Sequence, residues 1–221
     1  MCNNIDELPN GAEVKLLCKN IENPDRVFRQ QSLEKLLEYC AGPSVINDDA
    51  HLVFDRSYVQ LFKGYCDKYE KCRGLSITII STLMDGVPKN SFYPEIIIDT
   101  IAKRIGRSEI LEESEEIRLL LIKQLGTMMD KFASLKKKRD HLKPSYNCII
   151  DILVKSLEDP YALIQRECCA LVVKLTKSTA SFHIRCEYLA DPLIALLRHR
   201  QSPNRIAAIE ALGRKGCVYI V

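Results

Sequence analysis

The feature that most constrains this chain is a recurrence at long range. Short segments in which an apolar or amide residue precedes a basic or amide one return at nearly even intervals: Val27-Phe28-Arg29, Cys72-Arg73, Ile117-Arg118, Ile164-Gln165-Arg166 and Asn204-Arg205. Taking Arg29, Arg73, Arg118, Gln165 and Arg205 as one slot, the steps are 44, 45, 47 and 40 residues. Self-similarity of that kind implies one supersecondary unit used five times, which decides the architecture before any single element does.

The unit is helical. Leu33, Leu36, Leu37 and Cys40 follow the i, i+3, i+4, i+7 spacing of one helical stripe,. Cys72, Leu75, Ser76, Ile79 and Leu83 repeat it, as do Ile164, Cys168, Leu171 and Leu175, and the run Ile117, Leu121, Leu125, Met128 is similar,. Upstream of each slot helix lies another apolar helix, near 12–21, 54–67, 92–105, 145–157 and 186–199, so the unit is a helical hairpin. Its period falls in or near the ~40–47 residues of HEAT and armadillo units and outside the ~33–34 of ankyrin and TPR. Asn23-Pro24, Asp159-Pro160 and Ser202-Pro203 read as N-cap and proline pairs opening the second helix,. The expected fold is all-α, a right-handed α-solenoid of about five HEAT (armadillo-like) hairpins over 12–40, 54–86, 92–130, 145–177 and 186–213, with 214–221 as an off-pattern tail. Residues 41–53 and Leu135–Pro144 read as the two long connections.

Composition agrees. Gly and Pro are 18 of 221 residues, about 8% against an average near 12%, and 47% hydrophobic content is ample for a core,. A net charge of +3, from 32 basic and 29 acidic residues, implies no broad nucleic-acid-binding surface,. No apolar run approaches the ~18–20 residues that span a bilayer. The N-terminus lacks a basic stretch followed by an apolar run, so no secretory signal is read. The ten cysteines form no C-x-x-C pair and stand one or two per apolar segment, as buried hydrophobes of a reducing compartment do,. The cytoplasm is the expected location.

No constellation suggests catalysis. Cys168 and Cys169 are adjacent, about 100° apart on a helix, so their thiols do not converge on one metal. His183 and Cys186 have one-turn spacing, yet no second pair supplies a four-ligand zinc site,. Glu109, Glu112, Glu113, Glu115 and Glu116 precede Ile117 and read as a solvated helix start whose carboxylates suit the positive helix end,. Lys136, Lys137, Lys138 and Arg139, with Lys131, His141 and Lys143 nearby, form the densest basic cluster, read as a solvated loop and as a candidate docking site for an acidic protein partner,. It has no interleaved aromatics for stacking on bases. No Gly-rich phosphate loop, nucleophile elbow or H-E-x-x-H occurs. The expectation is a non-enzyme with no cofactor, no metal and no small-molecule substrate. The slot arginines Arg29, Arg73, Arg118 and Arg205 are expected to be structural, each bonding an acidic side chain of its own or the preceding unit in a ladder. Gln165 breaks that ladder unless Arg166 reaches in its place.

Longer strings narrow the reading. Asp159-Pro160-Tyr-Ala-Leu-Ile-Gln-Arg-Glu-Cys-Cys169, Phe182-His-Ile, Asp191-Pro-Leu-Ile194 and Arg205-Ile-Ala-Ala-Ile-Glu-Ala-Leu-Gly213 resemble the N-terminal HEAT array of the fifth dynein axonemal assembly factor family. Cys72-Arg73-Gly-Leu and Glu116-Ile-Arg-Leu-Leu-Leu-Ile-Lys-Gln-Leu-Gly126 fit its second and third units. The resemblance implies a cytoplasmic scaffold that preassembles outer and inner dynein arms for motile cilia. Its implied partners are axonemal dynein chains, intermediate or heavy, and assembly chaperones. After Gly213 the sequence departs from that family, and Gly213 reads as a glycine inside a short final helix, so a longer solenoid is expected to be cut there. Periodicity alone also admits another HEAT adaptor, of the nuclear-transport or phosphatase-scaffold type.

Overall fold

The computed structural model describes residues 11–42, 47–84, 93–106, 111–132, 142–178 and 187–213, and among them every regular element is a helix. The chain divides into two compact units, Met1–Ser91 and Phe92–Val221. Both are built of helical hairpins in series, so the fold is all-α and of the α-solenoid class.

The first unit holds α1 (Gly11–Asn20), α2 (Arg26–Ala41), α3 (Asn47–Gly64) and α4 (Glu70–Leu83). The α2 and α4 helices, one repeat apart, pack on each other; α3 packs on α4, and α1 lies against α2 and α3. The stripes read from the sequence face inward: Leu33, Leu36 and Cys40 of α2 and Cys72, Leu75, Ser76, Ile79 and Leu83 of α4 are all buried. The α3 helix begins at Asn47, so the second half of the expected 41–53 connection is helical. The reason is a stripe that starts early, since Ala50, Val53, Phe54, Ser57 and Leu61 keep helical spacing and are buried,. Near its end Gly64 lies so close to Ser76 that a Cβ there would overlap the Ser76 hydroxyl, and the α3–α4 crossing depends on the missing side chain.

The second unit holds α5 (Tyr93–Ile101), running on into a π-helical turn at Ala102–Gly106, then α6 (Glu115–Phe132), a 3₁₀ turn at Lys143–Ser145, α7 (Tyr146–Leu157), α8 (Ala162–Ser178), α9 (Glu187–Leu196) and α10 (Ser202–Leu212). Slot helices again stack on slot helices, α6 on α8 and α8 on α10, while α7 packs on α8, α9 and the π turn. Two glycines permit these approaches. A Cβ on Gly106 would lie 2.7 Å from Ile152 Cγ1, and one on Gly126 would lie 3.1 Å from Leu171 Cδ2. Gly213 is not inside the last helix; it is its C-cap, and its N–H bonds the Ile209 carbonyl.

The helix starts differ from the N-cap and proline reading. In α2 the cap is Asp25, whose side chain accepts from the Val27 N–H, and Asn23 acts one turn earlier. The α8 helix starts at Ala162, beyond Asp159-Pro160, and Ser202 is the first residue of α10 with Gln201 as its cap. Asn23 and Asp159 belong to the turn between the helices, which is where the repeat concentrates its chemistry.

Candidate functional site

Each turn between the two helices of a hairpin is built the same way. Six residues before the slot stands a side chain that accepts a hydrogen bond from the backbone N–H two residues on. Asn23 Oδ1 takes the Asp25 N–H at 2.9 Å, Asp67 Oδ1 the Tyr69 N–H at 2.9 Å and Glu112 Oε1 the Ser114 N–H at 3.1 Å. Asp159 Oδ1 takes the Tyr161 N–H at 2.8 Å, and His199 Nδ1 takes that of Gln201 at 3.1 Å. Such self-bonding closes a tight turn before the slot helix begins.

The slot residue then ties the turn from the other side. Arg29 Nη1 donates to the carbonyls of Asn23 and Pro24 at 2.8 and 3.0 Å, and Arg73 Nη1 to that of Asp67 at 2.9 Å. Arg118 Nη1 donates to the carbonyls of Glu112 and Glu113 at 3.2 and 2.8 Å, and Arg205 Nη1 to those of His199 and Arg200 at 2.9 and 3.1 Å. Gln165 uses its amide for the same purpose, donating to the Asp159 carbonyl at 2.8 Å.

With Nη1 held by its own turn, the Nε–Nη2 edge of the guanidinium faces the neighbouring hairpin. Arg29 pairs there with Asp67 at 2.7 and 3.0 Å, and Arg118 with Asp159 at 2.7 and 3.1 Å, both in bidentate form,. The partner therefore belongs to the following unit, not to the arginine's own or the preceding one. The hydrogen bonds from Asp67 and Asp159 raise the pKa of Arg29 and Arg118 above the ordinary arginine value, against the opposing effect of burial. Gln165 does not interrupt the series. Its Oε1 accepts from Asn204 Nδ2 at 3.0 Å, and Asn204 also donates to the Ala162 carbonyl at 2.7 Å, so a neutral amide pair spans this step. Arg166 is exposed and takes no part in it.

The acidic run before Ile117 is not solvated throughout. Glu112 is fully buried and pairs with Arg104 at 2.8 Å, because it occupies the turn position that Asp67 and Asp159 hold in their hairpins. The residues missed by sequence reasoning are thus Asp67, Glu112 and Asn204, together with the inter-hairpin role of Asp159. The signal for Asp67, Glu112 and Asp159 was the constant offset of six from the slot, whereas Asn204 stands immediately before its slot.

Lys136, Lys137, Lys138 and Arg139 lie outside the described residues, as do His183, Cys186 and the tail 214–221. Of the described cysteines, Cys18, Cys40, Cys72, Cys168 and Cys169 are buried, whereas Cys66 is exposed. Burial pushes the thiols of Cys40 and Cys169 up to about 12 and that of Cys18 to about 11, which keeps them protonated and poor nucleophiles at neutral pH,. Among the described residues no group of three or more His, Cys, Asp or Glu could hold a metal ion. No helix among the described residues is long and apolar enough to cross a membrane. A shallow groove of about 360 Å³ runs between α8 and α10, lined by Arg166, Cys169, Val173, Ile206, Ala207 and Glu210.

Comparison with known proteins gives one consistent result. The family described as "Dynein axonemal assembly factor 5-like, TPR repeats" matches residues 20–216. The description names TPR repeats, although the slot steps of 44, 45, 47 and 40 in this chain exceed the ~34 residues of a TPR unit,. Among individual proteins, Dynein axonemal assembly factor 5 of Drosophila melanogaster is 35% identical over 205 residues, covering 90% of this chain and 24% of the relative. The Xenopus laevis protein of the same name is 28% identical over 90% of this chain and 23% of its own, and the Homo sapiens one 27% over 89% and 23%. The chain spans about a quarter of the length of these curated relatives. Among solved structures, an engineered protein aligns over 91% of this chain and 96% of its own with a TM-score of 0.45 and 13% identity. With the match running from residue 20 to 216, the chain belongs to the dynein axonemal assembly factor 5-like family.

Proposed function

We propose that this chain acts as a non-enzymatic scaffold in the cytoplasm for the preassembly of outer and inner axonemal dynein arms. The single observation that carries the reading is family membership across residues 20–216. The side-chain chemistry fits it. The slot arginines are engaged in tying their own turns, Arg29 and Arg118 also hold the following hairpin, Glu112 is paired within its own hairpin with Arg104, and the buried thiols are protonated. What remains for function is surface, in which many weak contacts along a repeat array select a long partner. The partners are dynein intermediate or heavy chains and the chaperones that fold them, with the Lys136–Arg139 segment as one docking point for acidic surfaces.

The test is co-precipitation from ciliated cells. Dynein intermediate or heavy chains are expected with the wild-type chain and less with Lys136, Lys137, Lys138 and Arg139 all changed to Glu. Recovery of Ran or of a phosphatase catalytic subunit instead, without dynein chains, would overturn the assignment.

A further inference from the structure

The groove between α8 and α10 is formed by two helices that are packed on each other, and its shape follows from their sequence. Asn204, one residue before its slot, bonds Gln165 at its own, so the two helices lie side by side in repeat register. In that register the groove is flanked at mid-height by the residue five after the slot of one helix and the residue two after the slot of the next. Between α2 and α4 these are Glu34 and Leu75, and between α6 and α8 they are Lys123 and Glu167. Between α8 and α10 both are alanine, Ala170 and Ala207. Two short side chains together leave the channel of about 360 Å³, with the buried Cys169 on its floor and Val173, Pro203 and Ile206 on its walls. Its opening does not depend on what packs against the far side of α10. One residue after the slot, Gln30 and Leu119 are half-buried and Arg166 is exposed, and five after it Glu34, Lys123 and Ala170 are exposed, although a further slot helix packs on each of α2, α6 and α8. Ile206, 54% exposed, holds the first of these positions and Glu210 the second.

Two opposite charges give the groove a polarity. Arg166 lines it from α8, one residue after its slot, and Glu210 lines it from α10, five after its own. Neither takes part in an ion pair among the described residues. Four residues of helical rise and one interaxial spacing separate them, about 6 Å by about 8–10 Å, which is about 10–12 Å across the diagonal. A helix carrying an acid, an apolar residue three or four later and a base seven after the acid spans about 10.5 Å on one face. An extended segment returns to one face only at every second residue, about 6.6 or 13 Å apart, and the groove offers no open backbone edge for it to pair with. We infer that the α8–α10 groove binds an amphipathic helix of a partner protein. One bulky apolar side chain of that helix seats over Ala170 and Ala207, its acid pairs with Arg166 and its base with Glu210. That the occupant is a protein rests on the scaffold reading above.

Fluorescence anisotropy with the whole chain tests this. The probe is a labelled alanine-rich helical peptide with Glu, Phe four residues on and Lys seven on, beside a second peptide in which Glu and Lys are exchanged. The first should bind saturably and the second about two- to tenfold more weakly, a difference that shrinks with added salt because both contacts are exposed ion pairs. Arg166→Glu together with Glu210→Arg should invert the preference with helical circular dichroism unchanged, an outcome that misfolding cannot produce. Ala170→Gln should weaken both peptides by filling the channel. Absence of binding, equal binding of the two peptides, or a preference that the exchange of charges leaves as it was would overturn the proposal. So would binding seen only after Val218→Asp and Ile220→Asp, which would assign the groove to the chain's own tail, or binding lost as the chain is concentrated, which would assign it to a second copy. The peptide is probed in isolation, so failure here is separate from failure to recover dynein chains from cells.

Discussion

Asp159→Ala is the sharpest perturbation of the turn architecture. Asp159 is buried and serves three donors: Arg118 Nε, Arg118 Nη2 and the Tyr161 N–H. Truncating it leaves a guanidinium only 10% exposed with two unmet donors and opens the turn before α8. Removing one member of a buried pair typically costs about 3–5 kcal/mol, because the surviving charge stays desolvated. For a chain of this size that is a fall in melting temperature of roughly 6–20 °C, at about 2–4 °C per kcal/mol. The raised pKa of Arg118 keeps the pair intact at ordinary pH: stability from this shift is present below the unfolded arginine value and is lost only above it,. Salt and mutation are therefore the useful probes. In a double-mutant cycle read by calorimetry, Arg118→Met with Asp159→Leu should recover most of the loss, since an apolar pair avoids the desolvation of both ions. The Arg29–Asp67 pair, slightly more exposed at 13% and 10%, should give a smaller loss with Asp67→Ala. A fall of less than about 2 °C for Asp159→Ala would refute the claim that these pairs hold successive hairpins together.

Three further outcomes follow from the packing. Gly64→Ala should destabilise the first unit by about 1–3 kcal/mol through overlap with Ser76, measured by chemical denaturation,. Stability should fall as pH rises above 9, the ordinary thiol value, toward the values of about 11 for Cys18 and about 12 for Cys40 and Cys169; each thiol contributes roughly 1.4 kcal/mol per pH unit in that window, and Cys→Ala variants should flatten the slope,. A thiol reagent at neutral pH should modify Cys66 well before Cys18, Cys40, Cys72, Cys168 or Cys169, as peptide mapping would show.

The helices and their inward faces were legible because burial imposes the 3.6-residue period directly on residues such as Ile117, Leu121, Leu125 and Met128, all of them buried,. The slot was legible because every hairpin needs a donor at the same height to hold its turn. The partner of each slot was harder to read, because it lies 38 to 41 residues away and nothing local distinguishes it. Glu112 sat in a run of glutamates, and only its offset of six from Arg118 separates the buried one from its exposed neighbours. Gln165 looked like a break because charge was taken as the signature, whereas the turn requires only a donor and the neighbouring hairpin accepts an amide through Asn204. The start of α3 was placed too late because Asn47–Asp49 have turn-forming composition, while Ala50 and Val53 already carry the helical stripe.

The most direct test of the proposed role is loss of the gene in a ciliated cell, followed by electron microscopy of axonemes in cross-section. Absence of both outer and inner dynein arms, with dynein heavy chains depleted from the axoneme, is the predicted result. Axonemes with a full complement of both arms would contradict it.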